Sequence, residues 1–178
     1  GIKEANNAGL LLKKNNINIQ IVFSSVLERA NQTAVIALRS AELEHLFQNG
    51  ILNYERDQSL NERDYGDLVG LNKKETADKF GKDQVHIWRR SYDTPPPNGE
   101  SLKNVVDRVG PYFDEKIHPL IKKGKNIIIV AHGNSLRAVM IKIGMYQPEE
   151  IASIELPTGR PLCIDYENNE LQKYYYLD

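Results

Sequence analysis

Apolar side chains recur at helical spacing in several parts of the chain. This spacing predicts a helix over residues 1–15, with one buried face formed by Ile2, Ala5, Ala8 or Gly9, and Leu12. A longer series predicts a helix from Leu102 to Leu120, which Pro111 bends and Gly124 ends. Shorter helices are predicted over residues 25–40, from 73, over 82–91, over 135–144 and from Pro148.

Runs of β-branched and apolar residues alternate with these helices and predict strands. They cover residues 18–23, 51–54 (the weakest), 127–131, and a terminal hairpin of 162–166 with 171–176. The continuously apolar run Ile127–Ala131 is typical of a strand buried on both faces of a parallel sheet. The alternation predicts an α/β fold, a three-layer α/β/α sandwich with a mostly parallel sheet. We expect residues 1–178 to form a single domain, because the proline tract at 95–97 is too short to separate two.

Two helix starts carry a capping signal. Ser25 followed by Glu28 fits a capping box, in which the serine oxygen accepts a backbone N–H and the glutamate reaches back. Asn72 followed by Glu75 fits the same pattern. The sequence therefore predicts helices that begin at these two points.

Composition narrows the functional classes. The 23 Lys and Arg residues against 24 Asp and Glu give a formal charge of −1, so no general positive field attracts nucleic acid or an anionic membrane. No apolar run approaches the roughly 20 residues that span a bilayer. The single cysteine, Cys163, forbids an internal disulfide, and the four histidines lack a metal-binding spacing. We expect a cytoplasmic protein without a metal, in which any anion site is local.

The most informative chemistry follows the strand at 127–131. Ligands of open α/β sheets bind beyond the carboxyl ends of the strands, where helix N-termini attract anions. His132 lies at this point, Gly133 permits close approach of the backbone, and Asn134 adds an amide donor. His132 is therefore a candidate functional residue. The other three histidines are expected to be structural or surface residues.

Other candidates are ambiguous when taken alone. Arg29 can reach the same edge of the sheet, yet its position alone favours an ordinary exposed helix arginine. Glu62, in the polar loop of residues 60–73, can act as a general acid and base or can be a solvated carboxylate. Arg89 and Arg90 are adjacent, so both cannot face one way on a straight helix. Tyr65 and Trp88 can be core aromatics.

Several ordered stretches together resemble the 2,3-bisphosphoglycerate-dependent phosphoglycerate mutases of the histidine phosphatase superfamily. The resemblance extends over the whole chain and is carried by residues 1–5, 23–30, 60–73, 84–90, 131–137 and 156–162. It implies that Glu62 is the proton donor and acceptor and that His132 stabilises the phosphoryl group during transfer. It also implies that substrate is bound by Arg29, Arg63, Asp64, Tyr65, Lys73, Arg89, Arg90, Gly133 and Asn134.

The function implied by this resemblance is interconversion of 3-phosphoglycerate and 2-phosphoglycerate, in glycolysis and gluconeogenesis, through a phosphohistidine. 2,3-Bisphosphoglycerate is then the phosphoryl primer, no metal is needed, and the partners are small phosphorylated three-carbon acids. Neither nucleic acid nor a membrane is an expected partner. The sequence leaves open whether the protein forms a homo-oligomer.

One departure from the family pattern affects this expectation. Family members begin with a strand that ends in Arg-His-Gly, whose histidine accepts the phosphoryl group, and these 178 residues contain no such motif. We therefore expect a chain truncated at its N-terminus. Two alternatives stay open: a bisphosphoglycerate mutase or sugar-phosphate phosphatase of the same superfamily, and a catalytically incompetent paralogue that only binds phosphates or partners.

Overall fold

A computed structural model describes all 178 residues. The helices are α1 (Ile2–Lys14), α2 (Glu28–Ser40), α3 (Lys73–Phe80), α4 (Lys82–Arg90), α5 (Leu102–Tyr112), α6 (His118–Lys122), α7 (Gly133–Lys142) and α8 (Pro148–Ile151). The strands are β1 (Ile21–Ser24), β2 (Phe47–Gln48), β3 (Ile51–Leu52), β4 (Glu55–Arg56), β5 (Ile127–Val130), β6 (Leu162–Glu167) and β7 (Glu170–Tyr176). No helix is both long and apolar enough to cross a membrane.

The central sheet has three parallel strands in the order β4-β1-β5. Ser24, the last residue of β1, pairs with Val130, the last residue of β5. Both strands therefore end at the same edge, and the residues that follow them, Ser25 and Ala131, lie side by side. This edge is where an open α/β sheet binds its ligand.

Helices cover both faces of the sheet, as the predicted three-layer arrangement requires. Phe23 belongs to a core of twelve buried residues that draws mainly on α5 and α7. Its neighbour Val22 points to the opposite face and belongs to a second core of nine buried residues, which includes Leu12 of α1 and Leu38 of α2. The α/β/α fold is confirmed.

Several predicted elements form as expected. Helix α1 buries Ala5, Gly9 and Leu12 along one side. Asn72 caps α3 by accepting the N–H of Glu75 at 2.8 Å. The terminal hairpin turns at Asn168 and Asn169, which both adopt positive φ angles. This conformation is the one that a tight two-residue hairpin requires.

Other predictions were wrong in detail. Ile2 is 70% exposed and does not belong to the buried face of α1. Ser25 caps no helix: α2 begins three residues later, at Glu28. The strand predicted over 51–54 is shorter and pairs with β2, while β4 provides the third strand of the main sheet. The long helix predicted from Leu102 changes after Pro111 into one π-helical turn, Phe113–Ile117.

Strand β5 is half-buried rather than enclosed on both faces. All four of its residues are partly exposed, because β5 pairs with β1 on one side only. On its other side, a groove of about 890 Å³ separates β5 from the hairpin of β6 and β7. An unbroken apolar run indicates a strand of the sheet but does not show how many neighbours it has.

Candidate active site

His132 occupies the carboxyl edge of the sheet, between β5 and the first turn of α7. Its side chain is buried, and its Nε2 lies 2.8 Å from the hydroxyl oxygen of Ser25. The backbone N–H of His132 donates to Oγ of Ser135 at 3.1 Å. The parallel pairing of β1 and β5 brings Ser25 to the imidazole, so the ring is held in one orientation.

The electrostatic surroundings keep His132 neutral at pH 7. Burial is the main reason that the pKa of His132 lies below its ordinary value, and the positive charges of Arg29 and Arg108 lower it further. The negative charge of Glu62 opposes them without reversing the shift. A neutral imidazole next to arginines can donate one hydrogen bond to a phosphoryl oxygen.

Glu62 approaches His132 from the loop that precedes α3. One of its carboxylate oxygens, Oε1, accepts the N–H of Asn134 at 3.1 Å and that of Arg63 at 2.8 Å. Asn134 lies in the first turn of α7, where free N–H groups and the helix dipole favour a negative charge. The other oxygen, Oε2, accepts no hydrogen bond from the protein. Glu62 is thus fixed through one oxygen while the second can exchange a proton.

Gly133 permits this close arrangement. A Cβ atom at this position would lie 3.1 Å from Nη1 of Arg137 and 3.9 Å from Oε2 of Glu62. Any larger side chain would fill the space between the carboxylate and the arginine. The glycine therefore leaves room for a ligand beside Glu62.

Next to Glu62 lies a pocket of about 190 Å³ with several cationic and polar groups. It is lined by Arg63, Tyr65, Arg89, Ser91, Leu102, Asn134, Arg137 and Ala152. The Nδ2 of Asn134 lies 3.0 Å from the phenol oxygen of Tyr65, which links the pocket wall to the N-terminus of α7. We refer to this space as the arginine pocket.

Two arginines of the arginine pocket carry buried N–H groups without a partner. Arg63 is 6% exposed, stacks on Tyr65 at 4.7 Å and donates to the carbonyl oxygen of Trp88. Arg137 donates to the carbonyl oxygen of Ile154 at 2.9 Å. The Nε atoms of Arg63 and Arg137 are both buried and bond to no protein acceptor. Burial also lowers the pKa of Arg63, although a guanidinium stays protonated. Unpaired buried donors are costly, so the pocket suits an anion.

The predicted site residues do not all converge. Seven of them lie in the arginine pocket or next to it, at the N-terminus of α7: Glu62, Arg63, Tyr65, Arg89, His132, Gly133 and Asn134. Arg29 is exposed, and only its charge acts on His132.

Besides Arg29, three predicted binding residues lie outside this group. Asp64 is exposed and accepts the N–H of Gly66 through its own carboxylate. Lys73 and Arg90 are exposed at helix ends, and neither forms a hydrogen bond or an ion pair. Arg89 and Arg90 diverge, as expected for neighbours on a helix, and Trp88 is a core aromatic packed with Leu68 and Val85.

Sequence reasoning missed three residues at this site: Ser25, Arg108 and Arg137. Arg137 lies four residues after Gly133, one turn along α7, and this spacing was a usable signal. Ser25 was misread as a helix cap. No pattern marks Arg108, which is 46 residues from Glu62 yet bonds to its carbonyl oxygen.

The site offers acidic, basic and anion-binding groups, and no set of three or more His, Cys, Asp or Glu side chains that could hold a metal ion. A sequence profile described as the histidine phosphatase superfamily (branch 1) matches residues 1–176. The chain belongs to this superfamily.

Relatives of which this chain covers about three quarters are named 2,3-bisphosphoglycerate-dependent phosphoglycerate mutase. The relative from Parvibaculum lavamentivorans is 43% identical over 168 residues, which is 94% of this chain and 77% of the relative. The one from Methylobacterium sp. is 49% identical, covering 91% of this chain and 75% of the relative. The one from Cytophaga hutchinsonii is 44% identical, covering 99% and 79%. The resemblance seen in the sequence is confirmed.

Solved structures of the superfamily share the fold. A mycobacterial glucosyl-3-phosphoglycerate phosphatase superposes with a TM-score of 0.74 at 20% identity, covering 99% of this chain and 83% of the other. A putative alpha-ribazole-5'-P phosphatase from Escherichia coli gives a TM-score of 0.74 at 23% identity, with coverages of 100% and 81%. At these identities the likeness concerns the fold alone.

Proposed function

We propose that this protein is a 2,3-bisphosphoglycerate-dependent phosphoglycerate mutase that interconverts 3-phosphoglycerate and 2-phosphoglycerate. The observation that carries the proposal is the convergence of Glu62 and His132 on the N-terminus of α7, next to the arginine pocket. The names of relatives at 43–49% identity support it. The proposal treats residues 1–178 as one domain and includes a cytoplasmic location.

The arginine pocket fits a substrate with two acidic groups. Phosphoryl transfer depends mainly on positioning and on neutralising charge. In the proposal, the arginine pocket binds the acidic end that does not react, and His132 and Asn134 donate hydrogen bonds to the transferring group. Arg29, Lys73 and Arg90 are exposed, and we propose that they add longer-range positive charge at the rim.

The unpaired Nε atoms of Arg63 and Arg137 also fit 2,3-bisphosphoglycerate. When bound, this primer supplies the phosphoryl group that the cycle transfers. Arg63, Tyr65, Arg89, Asn134 and Arg137 would hold it. The protein's contribution is to orient the acid and to keep its charges balanced.

Glu62 moves the proton in this mechanism. Its Oε2 is free of protein hydrogen bonds, whereas Oε1 is anchored to two backbone N–H groups. Glu62 takes the proton from the attacking hydroxyl group and returns it in the reverse step.

The phosphoryl acceptor is expected from an Arg-His-Gly strand, which these residues do not contain. We do not assign that role to His132, because its Nε2 is engaged with Ser25.

The test uses the protein with an apolar strand ending in Arg-His-Gly placed before Gly1. We expect it to form phosphohistidine from 2,3-bisphosphoglycerate and to convert 3-phosphoglycerate. Glu62→Gln should reduce turnover at least about 10²-fold, the usual contribution of general acid–base catalysis. Glu115→Gln, at an exposed carboxylate remote from the site, is the matched control. Full turnover by Glu62→Gln would remove Glu62 from the mechanism.

The same assay separates the alternatives. Release of inorganic phosphate in preference to transfer to glycerate acids would identify a phosphatase. Net formation of 2,3-bisphosphoglycerate would identify a bisphosphoglycerate mutase. Absence of any labelled histidine, with phosphate binding retained, would identify a protein that only binds phosphates.

A further inference from the structure

Arg108, on α5, binds the backbone of the loop that carries Glu62. Its guanidinium donates to the carbonyl oxygens of Ser59 at 2.6 Å, Asn61 at 3.0 Å and Glu62 at 3.2 Å. The same group forms a bidentate ion pair with Glu100, at 2.8 Å from Nε and 3.0 Å from Nη2. One arginine therefore holds three carbonyl groups of a segment of four residues.

Glu100 fixes the loop two residues further on, at Asp64. Its Oε1 accepts the N–H of Asp64 at 3.0 Å, and its own N–H donates to the carbonyl oxygen of Asp64 at 2.7 Å. Burial would raise the pKa of Glu100, but bonds from Arg108 and Asp64 and nearby positive charge lower it below its ordinary value. Glu100 is thus a stable anion between the loop and Arg108.

Arg108 stands on α5, and Glu100 directly precedes the N-cap of this helix. Helix α5 begins with a capping box between Ser101 and Asn104, directly after Glu100. Val105 and Val109, on either side of Arg108 along the helix, are completely buried in the larger core. The guanidinium therefore has a fixed base from which to orient the loop.

We propose that Arg108 is a positioning residue for proton transfer: with Glu100, it holds residues 59–64 so that the carboxylate of Glu62 faces the N-terminus of α7. This rests on the proposed role of Glu62. The loop has no regular ladder of its own around Glu62, so its shape depends on side chains that bind its carbonyl and N–H groups. A lysine can replace Arg108 only in part, because an ammonium group lacks the planar fork that spans several acceptors.

The first test follows the amide of Asn134, which donates to Oε1 of Glu62. In the 178-residue protein, replacing Glu62 by Gln should change the NMR shift of this amide, because the substitution removes the carboxylate oxygen that the amide contacts. We call this change the Asn134 response. In an Arg108→Gln background the Asn134 response should be lost, while amides of the β6–β7 hairpin keep their shifts. Lys103→Gln removes a positive charge from the exposed Lys103–Asp107 pair of the same helix and is the matched control.

Arg108→Lys is the second variant if Arg108→Gln does not fold. It keeps the charge and should lose part of the Asn134 response. The proposal is overturned if a folded Arg108 variant shows the wild-type response, or if the wild-type Asn134 amide does not respond to Glu62. Neither result depends on phosphoryl transfer, so the proposed function is tested separately.

The second test measures turnover in the protein that carries the Arg-His-Gly strand. Displacing Glu62 by about 1 Å should lower kcat by about 10²-fold. KM should change little, because Arg108 does not line the arginine pocket. Added guanidinium ion should restore part of kcat in Arg108→Ala. If kcat falls only as far as the fraction of folded protein falls, and guanidinium ion does not restore it, Arg108 has a structural role and the proposal is contradicted.

Discussion

The hydroxyl oxygen of Ser25 lies 2.8 Å from Nε2 of His132, and both side chains are buried. They stand at the ends of two adjacent parallel strands, whose last residues, Ser24 and Val130, are paired. The register of the sheet thus brings the hydroxyl group of Ser25 within hydrogen-bond distance of the His132 imidazole. The same hydroxyl oxygen accepts the N–H of Leu27 at 3.2 Å, which fixes its own position.

We expect Ser25→Ala to impair both stability and function. A ring nitrogen left unpaired in a buried site costs about 1–3 kcal/mol. The imidazole should also lose its fixed orientation, which ¹⁵N NMR of the His132 ring would detect. Ser25→Thr keeps the hydroxyl group and should preserve the bond.

Ser24→Ala is the control for this prediction. Ser24, the preceding residue, is equally buried, but its hydroxyl oxygen accepts a hydrogen bond from Asn31 and does not contact His132. If Ser24→Ala and Ser25→Ala change the His132 ring signals alike, the bond to Ser25 is not what orients the ring.

The Ser25 case shows how far the sequence could predict the site. Apolar runs and helical spacing predict the strands, and a strand end predicts a functional His132. Ser25 fits a local capping pattern equally well, however, and only the pairing of β1 with β5 decides its partner. Arg108 contacts a loop 46 residues away, a relationship that no local pattern encodes. Long-range side-chain contacts are thus what the sequence alone could not supply.

The lowered pKa of His132 predicts a pH-dependent stability. An unfolded histidine titrates at about pH 6.5, whereas burial and nearby arginines place the folded pKa lower. Between these two values the unfolded chain binds more protons than the folded protein. The free energy of unfolding should therefore fall as pH drops from about 6.5 through the folded pKa.

Urea unfolding at several pH values measures this dependence. Below pH 6.5, His132→Gln should make the free energy of unfolding depend less on pH. Above pH 7.5, the substitution should leave this dependence unchanged. His86→Gln, at an exposed position on α4, is the comparison. Identical slopes in His132→Gln and the unchanged protein would show that this imidazole does not titrate differently on unfolding.

Arg137 should contribute directly to anion binding. Its buried Nε has no protein acceptor, so an oxyanion in the arginine pocket would supply one. A hydrogen bond to a charged group contributes about 1.5–3 kcal/mol, so Arg137→Met should weaken binding of inorganic phosphate about 10- to 100-fold.

Calorimetric titration with phosphate checks this value. Arg160→Met serves as the control, because Arg160 stacks on Tyr176 of the terminal hairpin and does not line the pocket. Affinities that agree between Arg137→Met and the unchanged protein would exclude Arg137 as a ligand-binding residue.

Gly66 should be irreplaceable for the loop that carries Glu62. Its φ angle is +57°, and a Cβ there would lie 2.2 Å from the carbonyl oxygen of Pro97 and 2.5 Å from the N of Gly99. These are backbone atoms that cannot move aside. Gly70, in the same loop, also has a positive φ of +84°, but a Cβ there would meet open space.

Alanine substitutions at these two glycines therefore separate the cost of a positive φ angle from the cost of a steric clash between Cβ and the backbone of residues 97–99. Gly70→Ala should cost about 1–2 kcal/mol, the penalty for a left-handed conformation. Gly66→Ala should cost about 1–3 kcal/mol more, because the loop must leave its contact with residues 97–99. Denaturant unfolding gives both values, and the Asn134 amide reports whether Glu62 has moved. Equal costs at the two positions would mean that the contact of Gly66 with Pro97 does not hold the loop in solution.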